Sequence, residues 1–305
     1  MLLLAAAHQA RPAGVTDRDH EPLYDAGLLA TPDRILARLH GRGASHACKG
    51  LARDGDDVLA CLEREVLRLS PDDDGAYGIV ERWSHPHLND VHHAIRHNGA
   101  LWVASTGADA VLEVRGTDVQ THPLAGPLAD GDLRTRSLKP HQVHPNHLFV
   151  WQNRVWVTRL HQGDAVVVGD PTQRLFVDEE RIHDGVVHDG RVWFTTVDGR
   201  VVSVDGAGER QVFDLNDGRG PLGWCRGLAF HDGLLWVGFT RLRATRWRRN
   251  LAWVRGTLRG RVEVSDRPTR LVGVRLADGP ELWGEVVRTV DLEGLGVGAV
   301  FGLVG

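Results

Sequence analysis

Two short stretches of this 305-residue chain hold the side chains best suited to chemistry. His85-Pro86-His87-Leu88-Asn89-Asp90-Val91-His92-His93 and Pro140-His141-Gln142-Val143-His144-Pro145-Asn146-His147 share the framework Pro-His-x5-His, which makes His87 equivalent to His141 and His93 equivalent to His147. Neutral imidazole is a favoured ligand for divalent Fe, Zn, Mn and Cu. It is also the side chain whose proton comes and goes near neutral pH. Three such ligands with a fourth position open describe a catalytic metal site rather than a structural one.

What must position these histidines is a repeat. Each copy runs into an apolar segment that closes on a polar turn and a Trp-centred strand, and the same pattern occurs five times. The units begin at Gly50, Ala94, Leu148, Gly185 and Gly227, spaced by about 40 to 55 residues, the size of one four-stranded blade. Asn98-Gly99, Asp189-Gly190 and Asp232-Gly233 fit tight hairpins between first and second strands. Third and fourth strands follow at 110–114 with 118–122, 165–169 with 173–177, and 200–204 with 211–215. No helical period is sustained; residues 32–39 read as a helix or an outer strand. Residues 296–303 look like an inner strand without partners, and residues 2–7, 22–24 and 34–39 like outer strands without an inner one. The expected fold is therefore an all-β, six-bladed β-propeller closed by N- and C-terminal strands sharing one blade, with five or seven blades as the alternative counts. It forms one domain over 1–305. An insertion at 241–267 holds nine arginines against Glu263 and Asp266, with Trp247 and Trp253 among them. It reads as a lid for a carboxylate or phosphate, or as a solvated hairpin or subunit contact.

Aligning the units on their turns puts Lys49, His92, Asn146, His183 and Arg226 at one position, and Gly50, His93, His147, Asp184 and Gly227 at the next. In a propeller these positions meet at one mouth of the channel. The expected metal ligands are His93, His147 and His183, with His92 the alternative third. His92 and His144 are expected as general acid and base, and Asp184 as a carboxylate ligand or an orienting group. His87, His141, Asn146, His161 and Arg241 would surround the substrate. Against this stands the ordinary reading of a loop histidine as a solvated or hydrogen-bonded residue. That reading is stronger for His97, His188 and His231, which occupy turns at the opposite end. Trp102, Trp156, Trp193 and Trp236 read as core, one per blade. Cys61 reads as a small buried hydrophobe; Cys48 and Cys225 as mouth thiols that could act as ligand or nucleophile.

A formal charge of -4 offers no overall attraction to nucleic acid or to an anionic membrane. Three scattered cysteines point to a reducing, cytoplasmic setting. The apolar start at residues 2–7 reads as a strand rather than a signal or anchor. Gly-x-Ser-x-Gly, Walker and Rossmann motifs are missing. The repeat, spread over nearly the whole chain, resembles the six-bladed propeller superfamily of gluconolactonase-like and strictosidine-synthase-like proteins. That resemblance implies a divalent metal held by Glu, Asn and Asp at the channel mouth and turnover of small molecules. The present chain has histidines there, an arrangement similar to the axial histidines of carotenoid cleavage oxygenases. The expectation is a metal-dependent hydrolase, lyase, isomerase or oxygenase for a small anionic molecule, the alternative being a non-catalytic module that binds a peptide or an anion.

Overall fold

The computed structural model describes residues 1–9, 24–42, 46–136, 138, 141–178, 180–216, 222–241, 267–277 and 283–305. Among these, twenty-four strands form six four-stranded antiparallel sheets arranged in a ring. We number the blades from the chain's first complete one. Their inner strands are Gly50–Asp54, Val91–His97, Pro145–Trp151, Ile182–His188, Trp224–His231 and, for blade 6, Val297–Val304. Each inner strand touches the next and the sixth touches the first, so blades 2 and 5, and blades 3 and 6, face each other across the axis.

Blade 6 is the shared one. The C-terminal strand Val297–Val304 pairs with Leu3–Gln9, followed outward by Tyr24–Ala30 and Ile35–Leu39. The middle of these runs well beyond residues 22–24, because the apolar stretch Ala26–Ala30 completes it and is buried. Residues 35–39 take the outer-strand alternative and not the helical one. Closure in this way leaves only short strand edges, the inner ones turned toward the channel. Leu4, Leu28, Val300 and Leu303 pack against Trp236 of blade 5, while Leu3 and Leu29 pack against Leu51 and Leu67 of blade 1. The insertion's residues 242–266 lie outside the described residues, as does Pro140.

Local chemistry explains the repeat. In blades 2, 4 and 5 the first hairpin turns on Asn98-Gly99, Asp189-Gly190 and Asp232-Gly233, all with positive φ, the pair of left-handed residues that matches strand twist. The tryptophan of the second strand then donates its indole N–H back to the end of the first: Trp156 to the Trp151 carbonyl at 3.1 Å, Trp193 to that of His188 at 3.2 Å, and Trp236 to that of His231 at 3.3 Å. Trp102 departs from the rule, stacking on His122 at 5.7 Å with no partner for its N–H among the described residues. Close approach of neighbouring blades needs Gly50, where a Cβ would lie 1.9 Å from the His92 carbonyl oxygen.

Candidate functional site

The side chains reach the axis because the inner strands bulge there. A bulge adds one residue to a strand and re-aims it. His92, Asn146, Arg226 and Phe301 are all extra residues at breaks in strand register. Together with Lys49 and His183 they give one residue per blade, and these six line a neck with about 10 Å³ of free space, roughly one water. Above the neck opens a cleft of about 740 Å³, within the size range of small-molecule sites.

Histidines gather on the wall formed by blades 2 and 3. His144 sits at their centre, its ring centroid 5.0 Å from His92, 5.0 Å from His141 and 5.6 Å from His161. The Nδ1 atoms of His141 and His144 are 2.9 Å apart, so one ring donates its proton to the other. His144 has a left-handed backbone, φ 57°, and the Asp109 carboxylate holds that turn by accepting the amides of Gln142 at 2.7 Å, Val143 at 3.1 Å and His144 at 2.7 Å. Burial, then the neighbouring His92 and His141, push the His144 pKa far below the ordinary histidine value. Burial likewise brings His92 down to about 4, partly offset by Asp90, whose carboxylate also takes the Lys49 ammonium. His161 is lowered by burial and then by Arg181. At neutral pH the rings of His92, His144 and His161 are uncharged.

On blade 4, the Asn146 amide donates to the Ile182 carbonyl at 2.8 Å and to His183 Nδ1 at 3.0 Å. The proton of His183 therefore sits on Nε2, which is buried and has no partner among the described residues. The cleft is also cationic. Among the described residues, Lys49, Arg64, Arg136, Arg181 and Arg226 border it against Glu63 and Asp90. Lys49 pairs with Asp90, and Arg64 stands 4.0 Å from Glu63. Arg136, Arg181 and Arg226 have no carboxylate within ion-pair distance among the described residues. Arg181 and Arg226 are half-buried, where an anion would offset the desolvation of a guanidinium; Arg136 is exposed.

The sequence's expected residues sort into three groups. His92, His141, His144, His161 and His183 share the cleft, with Asn146 at its neck. His93, His147 and Asp184 line the channel at the neck, where His93 and Asp184 have other work. His93 accepts the Leu148 amide on Nδ1 at 3.2 Å and donates from Nε2 to the Leu51 carbonyl at 2.9 Å, so it keeps no lone pair for a metal. His147 stacks on it. Asp184 accepts the Thr195 hydroxyl at 2.5 Å and the Gly227 amide at 3.1 Å, tying blade 4 to blade 5. The set His93, His147 and His183 thus does not fit a metal's ligand shell, and no group of three or more His, Cys, Asp or Glu among the described residues is arranged to hold one. His87 and Arg241 lie away from the cleft. His87 faces Thr121 on an outermost strand at 3.4 Å, and Arg241 makes a two-pronged pair with Glu293 at 2.6 and 2.7 Å. Cys48 and Cys225 are fully buried; burial pushes Cys48 up to about 12 and Cys225 well above the usual thiol value, so neither offers a thiolate.

The residues missed from the expected site are Lys49, Asp90, Arg136, Arg181, Arg226, Tyr24, Trp224 and Phe301. Lys49 and Arg226 carried a signal, since the turn alignment put them level with His92, Asn146 and His183. Arg136 and Arg181 sit in connecting loops, where no repeat marks them.

No protein-family model matches the sequence, and no curated protein matches it either. Similar solved structures include a catalytically inactive His-to-Ala variant of virginiamycin B lyase from Staphylococcus aureus with quinupristin, at 12% identity and TM-score 0.52 over 94% of this chain and 89% of that one. A candidate 6-phosphogluconolactonase from Bacteroides uniformis is similar at 11% identity and TM-score 0.53, over 95% of this chain and 82% of that one. A chain of the nidogen/laminin complex is similar at 12% identity and TM-score 0.57, over 99% of this chain and 97% of that one. At such identities the likeness is one of fold, and it includes both enzymes and a binding module.

Proposed function

We propose that the channel mouth is the active site of an enzyme that moves a proton on a small anionic molecule, as a lyase, isomerase or hydrolase does. The observation that carries this reading is convergence: five histidines and three guanidiniums without a carboxylate at ion-pair distance among the described residues border one cleft of about 740 Å³. The guanidiniums of Arg136, Arg181 and Arg226 hold the substrate's carboxylate or phosphate. His144 then acts at the reacting atom. The Nδ1-to-Nδ1 contact with His141 lets it stand in either tautomer: when His141 donates, His144 Nε2 carries a proton to give, and when His144 donates, Nε2 has a lone pair to receive one. His92 and His161 flank this exchange, and His92 is linked to Asp90 at 3.5 Å. Several similar folds belong to lyases or candidate lactonases, and small-molecule turnover is compatible with that company. Histidines that are uncharged at neutral pH can give or take a proton at the reacting atom, which a fixed lysine or arginine charge does not do.

The second reading is a binding module that holds the anion without turnover. One experiment separates them. A panel of small carboxylates, phosphate esters and lactones is screened by thermal shift, and each ligand that stabilises the protein is followed by NMR with wild type and His144→Ala. Conversion by wild type that His144→Ala slows at least about a hundredfold supports the enzyme, the size expected for one general acid or base. Bound but unchanged ligands support the module, and no stabilising anion at all overturns both readings.

A further inference from the structure

The wall opposite the histidines has a different chemistry. Tyr24 and Phe301 of blade 6 meet edge to face, with centroids 5.8 Å apart and planes at 84°, and Trp224 of blade 5 stands 6.3 Å from His183. All three border the cleft. Blades 5 and 6 lie across the axis from blades 2 and 3, so the aromatic rings face the histidine wall. These rings are not buried as the blade tryptophans are. Trp156, Trp193 and Trp236 are only 4 to 6% exposed, whereas Tyr24, Trp224 and Phe301 are each half-buried at the cleft.

The cationic and aromatic features are joined at one residue. The Arg226 guanidinium carbon lies 4.1 Å over the Phe301 ring, and its Nε donates to the Phe301 carbonyl at 3.1 Å. Stacking of this kind fixes the guanidinium plane, leaving its other N–H groups to meet an anion beside an aromatic face. We infer that the ligand is an anion whose carboxylate or phosphate is attached to a flat aromatic or conjugated group, the charge on Arg226 and the flat group against Tyr24, Trp224 and Phe301. The inference rests on the anion-site reading above and adds the ligand's other end. An aliphatic anion would meet Arg226 equally well and forgo the ring contacts.

The test uses pairs matched in charge and size on the wild-type protein: 2-naphthoate against its fully saturated counterpart, and phenyl phosphate against cyclohexyl phosphate, each titrated by calorimetry. The aromatic member of at least one pair is expected to bind about tenfold tighter, what two ring contacts supply. The pair that shows the preference identifies the anionic group. In Trp224→Leu and in Phe301→Leu that ratio should fall toward one. Equal affinities within both pairs overturn the inference while leaving the anion site standing, and no binding by any of the four compounds overturns the anion site itself.

Discussion

The imidazoles of His93 and His147 stack with centroids 3.8 Å apart and planes 22° apart, at the seam between blades 2 and 3. His93 also reaches the backbone of blade 1 at Leu51 and of blade 3 at Leu148, so a single side chain joins three consecutive blades. Its truncation leaves a buried carbonyl and a buried amide without partners. At roughly 1–3 kcal/mol for each orphaned group, His93→Ala should destabilise the fold by about 2–6 kcal/mol. Urea unfolding checks this. A midpoint like that of wild type would show that the histidine is dispensable to blade packing.

Acid should weaken the protein before its ordinary carboxylates titrate. An unfolded histidine titrates near 6.5, whereas burial holds His92 and His93 at about 4 and keeps His144, His147 and His183 below the ordinary value. Between those values the unfolded chain binds protons that the folded one refuses. Stability is therefore full above about pH 6.5 and lost as pH falls toward 4. For His92 and His93 that loss is about 3 kcal/mol each. Asp184, raised to about 6 by burial, works the other way: its folded form is protonated where the unfolded one is not, which adds stability as pH falls from 6 to 4. One carboxyl offsets about one histidine, so the histidines win. Denaturant midpoints measured from pH 8 to pH 4.5 should fall, and a flat profile would contradict neutral, buried imidazoles.

The ring was legible because its signal is redundant: hairpin turns, tryptophans and apolar runs recur at blade spacing, so losing one, as with Trp102, leaves the others. Shared closure was legible for the same reason, although the Tyr24–Ala30 strand was undercounted where its period fades into a continuous apolar run. The site was harder. Alignment on turns brought out the neck position, since one residue per blade is a property of the repeat. It did not tell which of His92 and His93 bulges into the cleft and which lies between blades. That depends on a one-residue register shift, and a slip of one residue sends a strand side chain to the other face. The loop arginines were invisible because loops carry no period.

Binding of an anion should draw protons into the mouth. His144 and His161 are lowered by burial and by neighbouring rings or Arg181, and negative charge nearby favours the imidazolium form. The bound-state pKa therefore lies above the free-state one, and between them each binding event takes up a fraction of a proton. Calorimetry in buffers of different ionisation heats should show this uptake growing as the pH is lowered from about 8. Proton release on binding would mean that the histidines do not face the charge.

Substitution should separate the cleft's guanidiniums from structural ion pairs elsewhere in the fold. Arg181 has no carboxylate at ion-pair distance among the described residues, while Arg241 is committed to Glu293. Arg181→Gln should weaken binding of any anion the mouth takes by about 10-fold or more, the cost of one charge-assisted hydrogen bond, with unfolding midpoints within about 0.5 kcal/mol of wild type. Arg241→Gln should do the reverse, costing stability and leaving anion affinity within about twofold. Titration of one anionic ligand against all three proteins decides it. Equal losses in both variants would place Arg241 at the mouth after all.

Asp109 is the residue through which blade 2 sets the chemistry of blade 3. Its carboxylate accepts three successive amides of the 142–144 turn, the turn that gives His144 its left-handed backbone and brings its Nδ1 to His141. Asp109→Ala removes the carboxylate that accepts all three amides, and the turn can then relax to an ordinary backbone. The expected stability loss is about 1–3 kcal/mol, since the turn is partly solvated and water replaces part of what is lost. The effect on His144 is separable from that loss. In wild type, the proton shared between His141 and His144 should give a downfield NMR resonance protected from solvent. Asp109→Ala should abolish it, and Asp109→Asn, which keeps a carbonyl acceptor, should restore it in part. A resonance that survives in Asp109→Ala would mean that the histidine pair is held by its own packing, and that the aspartate only stabilises the loop.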